Sequence, residues 1–118
     1  MIIEHIAIWT NDLEKMKSFY MCYFEAKCNH KYHNPTKQFE SYFLSFEAGT
    51  RIELMKKPQI PERDNPKTEM VGITHFAFKL GNEQKVDELT ELMRQEGIQI
   101  IGEPRRTGDG YYESVVLA

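Results

Sequence analysis

Three residues carry side chains that could bind one metal ion together, namely His5, Glu53 and His75. Each falls in a segment whose alternating apolar residues predict a β-strand. An imidazole or a carboxylate on a half-buried strand must be hydrogen-bonded, ion-paired or bound to a metal. Two imidazoles and one carboxylate, with space for water and a fourth ligand, suit a divalent transition ion such as Ni, Co, Zn, Mn or Fe.

The spacing of these residues is not itself a metal motif. The intervals, 53 − 5 = 48 and 75 − 53 = 22 residues, are far longer than those of a local zinc motif. Each histidine taken alone is more commonly a hydrogen-bonded core or edge residue, and that alternative stays open.

An internal repeat strengthens the case for the three residues as a set. At an offset of 70 residues the run IEHIAIW, which contains His5, falls on ITHFAFK, which contains His75. Two histidines related by a repeat can converge on one point, although two unrelated amphipathic strands would share the same pattern. The counterpart of Glu53 would be position 53 + 70 = 123, which lies after the last residue of the sequence.

Hydrophobic periodicity predicts the elements that position these residues. The first half predicts the order βαβββ: a strand at 2–9, a helix that begins beside Asn11 and Glu14 and ends at residue 24, and extended segments at 26–33, 39–46 and 50–55. Three prolines and several charges predict a solvated linker at 57–71. The second half predicts βαββ: a strand at 72–80, a helix capped by Asn82 and stopped by Gly97, a strand at 98–101 broken by Pro104, and a strand at 111–117.

Length and composition exclude several classes of protein. The 118 residues suffice for one domain with its own core. The net charge of −3 argues against a nucleic-acid partner, and the longest apolar run, six residues at 19–24, is too short to cross a membrane. The N-terminus lacks the pattern of a signal peptide, so the two cysteines are expected to be free thiols and the protein cytoplasmic.

Other side chains are weaker candidates. Four aromatic residues on predicted strands could line a substrate pocket, although such residues are more commonly core: Trp9, Tyr42, Phe43 and Phe76. Arg105 and its neighbour Arg106 could meet a carboxylate or phosphate of a substrate. Cys28, His30 and His33 do not form a second metal site, because strand alternation places His33 on the opposite face.

The runs IEHIAIW, ITHFAFK and RIELM, within the predicted βαβββ repeat, resemble the vicinal oxygen chelate superfamily, which comprises glyoxalases, bleomycin-resistance proteins and extradiol dioxygenases. The resemblance covers essentially the whole chain and is closest to glyoxalase I, lactoylglutathione lyase. It implies an α+β fold in which two βαβββ repeats form a cup-shaped mixed sheet within one domain, with repeat one at about 1–56, the linker at 57–71 and repeat two at 72–118. The eighth strand and its glutamate ligand would follow GYYESVVL, which ends at Leu117.

The resemblance also implies a function. His5, Glu53 and His75 would be metal ligands, Glu53 would serve as the catalytic base, and the protein would be a homodimer. The reaction expected is that of a lyase or isomerase acting on the adduct of a 2-oxoaldehyde and a thiol, through a metal-stabilised enediolate. The alternatives are a metal-free drug- or metabolite-binding protein of the bleomycin-resistance type, another superfamily enzyme (acyl-thioester epimerase, thiol transferase or dioxygenase), or a member whose site has decayed.

Overall fold

The computed structural model describes residues 1–118 and contains seven strands and two helices. In chain order these are β1 (His5–Trp9), α1 (Leu13–Phe24), β2 (Lys27–Cys28), β3 (Tyr32–Asn34), β4 (Phe39–Ser45), β5 (Arg51–Lys56), α2 (Glu83–Gln95), β6 (Gln99–Arg106) and β7 (Tyr112–Leu117). The chain divides into two compact units, Met1–Thr74 and His75–Ala118. Neither helix has the length and apolar content that a membrane span requires.

The first unit is built on a mixed sheet with the strand order β1-β5-β4-β2, in which β3 also pairs with β4. β1 runs parallel to β5, whereas β4 is antiparallel to β5, β2 and β3. Because β2 and β3 pair with the same neighbour, they act as one interrupted strand, and the unit has the predicted βαβββ order.

The two faces of this sheet differ in burial. One face packs against α1 and holds the core, where Leu44 and Leu54 are fully buried and Ile52 is nearly so. The opposite face carries His5, Trp9 and their neighbours, and no helix of this unit covers it. We call this second surface the open face.

Helix α1 begins one residue later than the sequence suggested. Asp12, not Asn11, is the N-cap, and its side chain accepts a hydrogen bond of 3.0 Å from the backbone N–H of Lys15. The Asn11 side chain instead donates to Glu62 at 2.6 Å. In the second unit Asn82 caps α2 through a bond of 2.9 Å from the N–H of Lys85, so the two helices begin 70 residues apart, as the repeat predicts.

The second unit consists of α2 packed on an antiparallel pair, β6 and β7. The expectation that Pro104 breaks the strand was wrong, because β6 continues to Arg106. Register shifts between Ile100 and Gly102 and between Gly102 and Arg105 mark irregular pairing, and a proline is tolerated at such a point because it has no N–H to donate.

Residues 72–80 form no strand, contrary to the prediction. In the first unit the equivalent strand, β1, is held by parallel pairing with β5. A strand needs a neighbour that bonds its backbone groups, and within residues 1–118 no strand pairs with residues 72–80.

Candidate metal centre

His5 and Glu53 come together on the open face of the first unit. The parallel register of β1 and β5 sets Ala7 opposite Glu53 and His5 opposite Arg51, so all of these side chains share one face. His5 Nε2 lies 3.7 Å from Glu53 Oε2. Two ligands of one ion, each about 2.0–2.2 Å from it, lie roughly 3–3.4 Å apart. The observed separation therefore needs only a small side-chain adjustment for both groups to bind the same cation.

A carboxylate behind His5 holds its ring. Glu4 accepts a hydrogen bond from His5 Nδ1 and a second one from Arg51 Nε at 2.7 Å. The hydrogen bond from His5 and, after it, that from Arg51 lower the pKa of the Glu4 carboxyl. A proton on Nδ1 leaves Nε2 with its lone pair toward Glu53, which is the arrangement that histidine ligands show when a carboxylate orients them.

Phe43 forms the apolar side of this pair. Its ring meets that of His5 edge to face, with centroids 5.4 Å apart, and the guanidinium of Arg51 lies 4.4 Å from its centroid. The side chain of Glu53 is only 16% exposed, whereas that of His5 is 39% exposed. The carboxylate is thus partly shielded from water while the imidazole remains accessible to a solute.

Glu4 and Arg51 were missed in the sequence. The acidic residue directly before His5 and the Arg-x-Glu spacing of Arg51 and Glu53 were visible signals. The contact of Glu4 and Arg51 with the site depends on the register of β1 against β5. This register pairs His5 with Arg51, which are 51 − 5 = 46 positions apart.

His75 is placed differently from the other two predicted ligands. It is the first residue of the second unit, is exposed, and lies outside any strand. Within neither unit do three or more His, Cys, Asp or Glu side chains gather closely enough to hold a metal ion. Cys28, His30 and His33 are likewise not gathered into such a group.

The aromatic candidates of the first unit divide between the two faces. Trp9 and Phe43 lie on the open face. Trp9 is an even number of residues from His5 along β1, and Phe43 pairs directly with Glu53 across β4 and β5. Tyr42 lies on the other face, where it is 8% exposed and its hydroxyl donates to Glu14 of α1 at 2.8 Å. Tyr42 therefore does not line the open face, because alternation along β4 directs it to the helix.

The remaining candidates belong to the second unit. Phe76 lies in the segment without regular structure and contacts Phe78, with ring centroids 5.8 Å apart. Arg105 pairs with Glu113 across β6 and β7 at 3.7 Å. Arg106 is bonded to Glu83 at the start of α2. Both arginines thus have carboxylate partners within their own unit.

Comparisons with known proteins identify the family of this chain. The family model described as Glyoxalase/Bleomycin resistance protein/Dioxygenase superfamily matches residues 2–117. The chain belongs to this superfamily. It is also 31% identical over 105 residues to the uncharacterized protein YwkD of Bacillus subtilis, covering 89% of this chain and 77% of that protein.

Solved structures of this superfamily share the fold. The trypanothione-dependent glyoxalase I of Leishmania major superimposes with a TM-score of 0.73 at 21% identity, over 98% of this chain and 86% of that one. The fosfomycin resistance protein FosX of Listeria monocytogenes, crystallised with Mn(II) and sulfate, gives 0.66 at 27% identity, over 89% and 80%. The α+β class predicted from the sequence is confirmed, and one of these similar proteins, FosX, has been crystallised with a divalent metal.

Proposed function

We propose that this member is a metal-dependent lyase or isomerase of the glyoxalase type, with His5, Glu53 and His75 as ligands of a divalent Ni, Co, Zn, Mn or Fe ion. The observation that supports it most is the pairing of His5 Nε2 with Glu53 Oε2 at 3.7 Å on the open face. This donor set, an oriented imidazole and a partly shielded carboxylate, suits such an ion. His75 is included because the repeat relates it to His5.

The ion, when bound, would polarise adjacent substrate oxygens as a Lewis acid. The chain's own residues supply the rest. Glu53 would remove the proton from one of the two oxygen-bearing carbons and return it to the other, since its carboxylate faces the Nε2 atom of His5 on the open face. Glu4 would keep the ring of His5 in one tautomer, and Phe43 would exclude water from one side of the site.

The substrate we propose is the adduct that a 2-oxoaldehyde forms with a thiol. Such an adduct carries two oxygens on adjacent carbons and a proton that must move between those carbons. The open face supports this assignment because it leaves the accessible side of His5 free for a small molecule, with Phe43 beside it.

The test is an assay of thioester formation from methylglyoxal and a panel of thiols, with each divalent ion added in turn. Glu53→Gln and His75→Ala are expected to lower kcat/KM by about 100-fold or more, because they remove a proton carrier and a ligand. His33→Ala is the matched control, since His33 lies on β3 outside the proposed site. Activity untouched by His75→Ala would overturn the assignment.

A second reaction belongs in the same panel. FosX is 27% identical to this chain and has been crystallised with Mn(II) and 1S,2S-dihydroxypropylphosphonic acid. Phosphorus NMR of fosfomycin incubated with the protein and Mn(II) measures whether the epoxide opens. Turnover of fosfomycin without turnover of the oxoaldehyde adduct would assign the protein to the fosfomycin-resistance class instead.

We also propose that the protein is a cytoplasmic homodimer with one domain per chain. β1 is an edge strand, and the residues before it are apolar and exposed, Ile2 at 89% and Ile3 at 67%. Such an edge favours association with another strand. Both cysteines are free thiols, which is typical of a reducing compartment. Light scattering after size exclusion measures the mass, and a monomer at micromolar concentration would contradict the dimer.

A further inference from the structure

A second concave surface lies at the other end of β1 from His5. It is a cleft of about 600 Å³ lined by Trp9, Tyr32, Asn34, Lys37, Phe39 and Lys57, which we call the aromatic groove. Trp9 is four residues beyond His5 on the same strand, so the groove is about 13 Å from the metal candidates. It shares no residue with them.

Three rings form the apolar part of the aromatic groove. Phe39 stands perpendicular to Trp9, with ring centroids 6.2 Å apart, and lies 6.1 Å from Tyr32. Trp9 is 41% exposed and Tyr32 is 54% exposed. Large aromatic side chains grouped on a surface and left open to water are typical of binding sites, because leaving them exposed costs free energy that a ligand recovers.

Two cations border these rings. Lys57 Nζ lies 5.0 Å from the centroid of the Trp9 indole. Neither Lys57 nor Lys37 has a carboxylate within ion-pair distance, in contrast to Lys17 and Lys31, which both pair with Glu14. An adjoining hollow of about 440 Å³ shares Lys37 and Lys57, so both lysines border both cavities. Both lysines are exposed, so their ammonium groups are open to an anionic group of a ligand.

The backbone beside these lysines is also unusual. Of the three non-glycine residues with positive φ, two follow them closely: Gln38 at 51° and Gln59 at 65°. The third, Glu25, ends helix α1. Left-handed conformations at ordinary residues cost free energy and collect at ligand-binding segments. Here they fix the two turns from which Lys37 and Lys57 extend.

We propose that the aromatic groove binds a small anion that carries a flat ring, such as an aromatic phosphate or carboxylate. The ring stacks among Trp9, Tyr32 and Phe39, and the anionic group lies between Lys37 and Lys57. This binding needs no metal and is independent of the reaction proposed above. It gives the open face a second site with its own ligand chemistry.

Trp9 is the only tryptophan in the chain, so intrinsic fluorescence reports on the aromatic groove directly. The experiment titrates the full chain with phenyl phosphate in the presence of EDTA. Benzyl alcohol tests the ring without the charge, and inorganic phosphate tests the charge without the ring. Saturable quenching is expected with phenyl phosphate, at a concentration at least tenfold lower than with either control.

Variants separate the lysines from a general effect of charge. Lys57→Met and Lys37→Met are each expected to weaken phenyl phosphate binding about tenfold, because each removes a charged hydrogen-bond donor. Lys85→Met, on α2 in the second unit, is the matched control and should leave the Kd unchanged. Equal quenching by benzyl alcohol, or a Kd that neither groove substitution alters, would overturn the proposal, as would the absence of saturation.

Discussion

Replacement of Glu4 by glutamine tests whether His5 is a positioned ligand. The Glu4 carboxylate accepts hydrogen bonds from both His5 Nδ1 and Arg51, and Gln has only one oxygen to offer the two donors. Loss of a carboxylate behind a histidine ligand lowers metal affinity by about 10–100-fold. Because Gln retains one of the two bonds, we expect about tenfold weaker binding for Glu4→Gln and about 100-fold for Glu4→Ala.

Two measurements check this prediction. Competition with a chelating fluorophore gives the Kd for Mn(II) or Zn(II), and nitrogen-15 NMR of the metal-free protein gives the tautomer of His5. The Nδ1–H form should dominate in the unaltered protein and decline in Glu4→Ala. Glu14→Gln, a substitution on the helix side of the sheet, controls for a change of charge. Unchanged affinity and tautomer in both Glu4 variants would refute the positioning role.

Three further predictions concern stability. Leu54 is fully buried in the central strand β5, so Leu54→Ala should lower the free energy of unfolding by about 3 kcal/mol in urea titrations, whereas Leu92→Ala, on an exposed part of α2, should cost far less. Hydrogen bonds from Lys17, Lys31 and Tyr42 lower the pKa of Glu14 from 4.5 to about 2. Its stabilising contribution is therefore complete above pH 4.5 and is lost as the pH falls toward 2, and Glu14→Gln should flatten that part of the stability profile. Asp12→Ala should cost about 1 kcal/mol by thermal denaturation, and Asn11→Ala should cost less because Asp12 is the cap.

Most of the first unit could be predicted from local patterns. The helix over residues 13–24 and the strands β4 and β5 follow from periodicity alone, because one face of each is buried against the other elements. The choice between Asn11 and Asp12 as the N-cap could not be predicted in this way, since both residue types are good caps. In the structure Asp12 caps the helix, and the Asn11 side chain is bonded to Glu62, 51 residues away.

The second unit shows where local patterns are insufficient. Residues 72–80 have the alternation of a strand, but a strand needs a neighbour to satisfy its backbone groups, and no strand of the structure pairs with them. Pro104 was expected to end a strand, yet a register shift in β6 accommodates it. In both segments the partner strand, not the residues themselves, determines the outcome.

The candidate site could be predicted only in part, because it too depends on how the strands pair. His5 and Glu53 were identified by residue type and by the repeat, and the β1–β5 register brings them within 3.7 Å. The roles of Glu4 and Arg51 depend on that register and could not be deduced from spacing. Tyr42 was placed among pocket residues because it is aromatic. Side chains alternate between the two faces along β4, and this alternation directs Tyr42 toward α1.

The most direct test of the central claim is the metal stoichiometry and affinity of the full chain and its ligand variants. Isothermal titration with Ni(II), Co(II), Zn(II) and Mn(II) should show one ion bound per chain. His5→Ala, Glu53→Gln and His75→Ala should each abolish or strongly weaken that binding, while His33→Ala should not. Absence of a bound ion, or binding that survives His5→Ala or His75→Ala, would contradict the account.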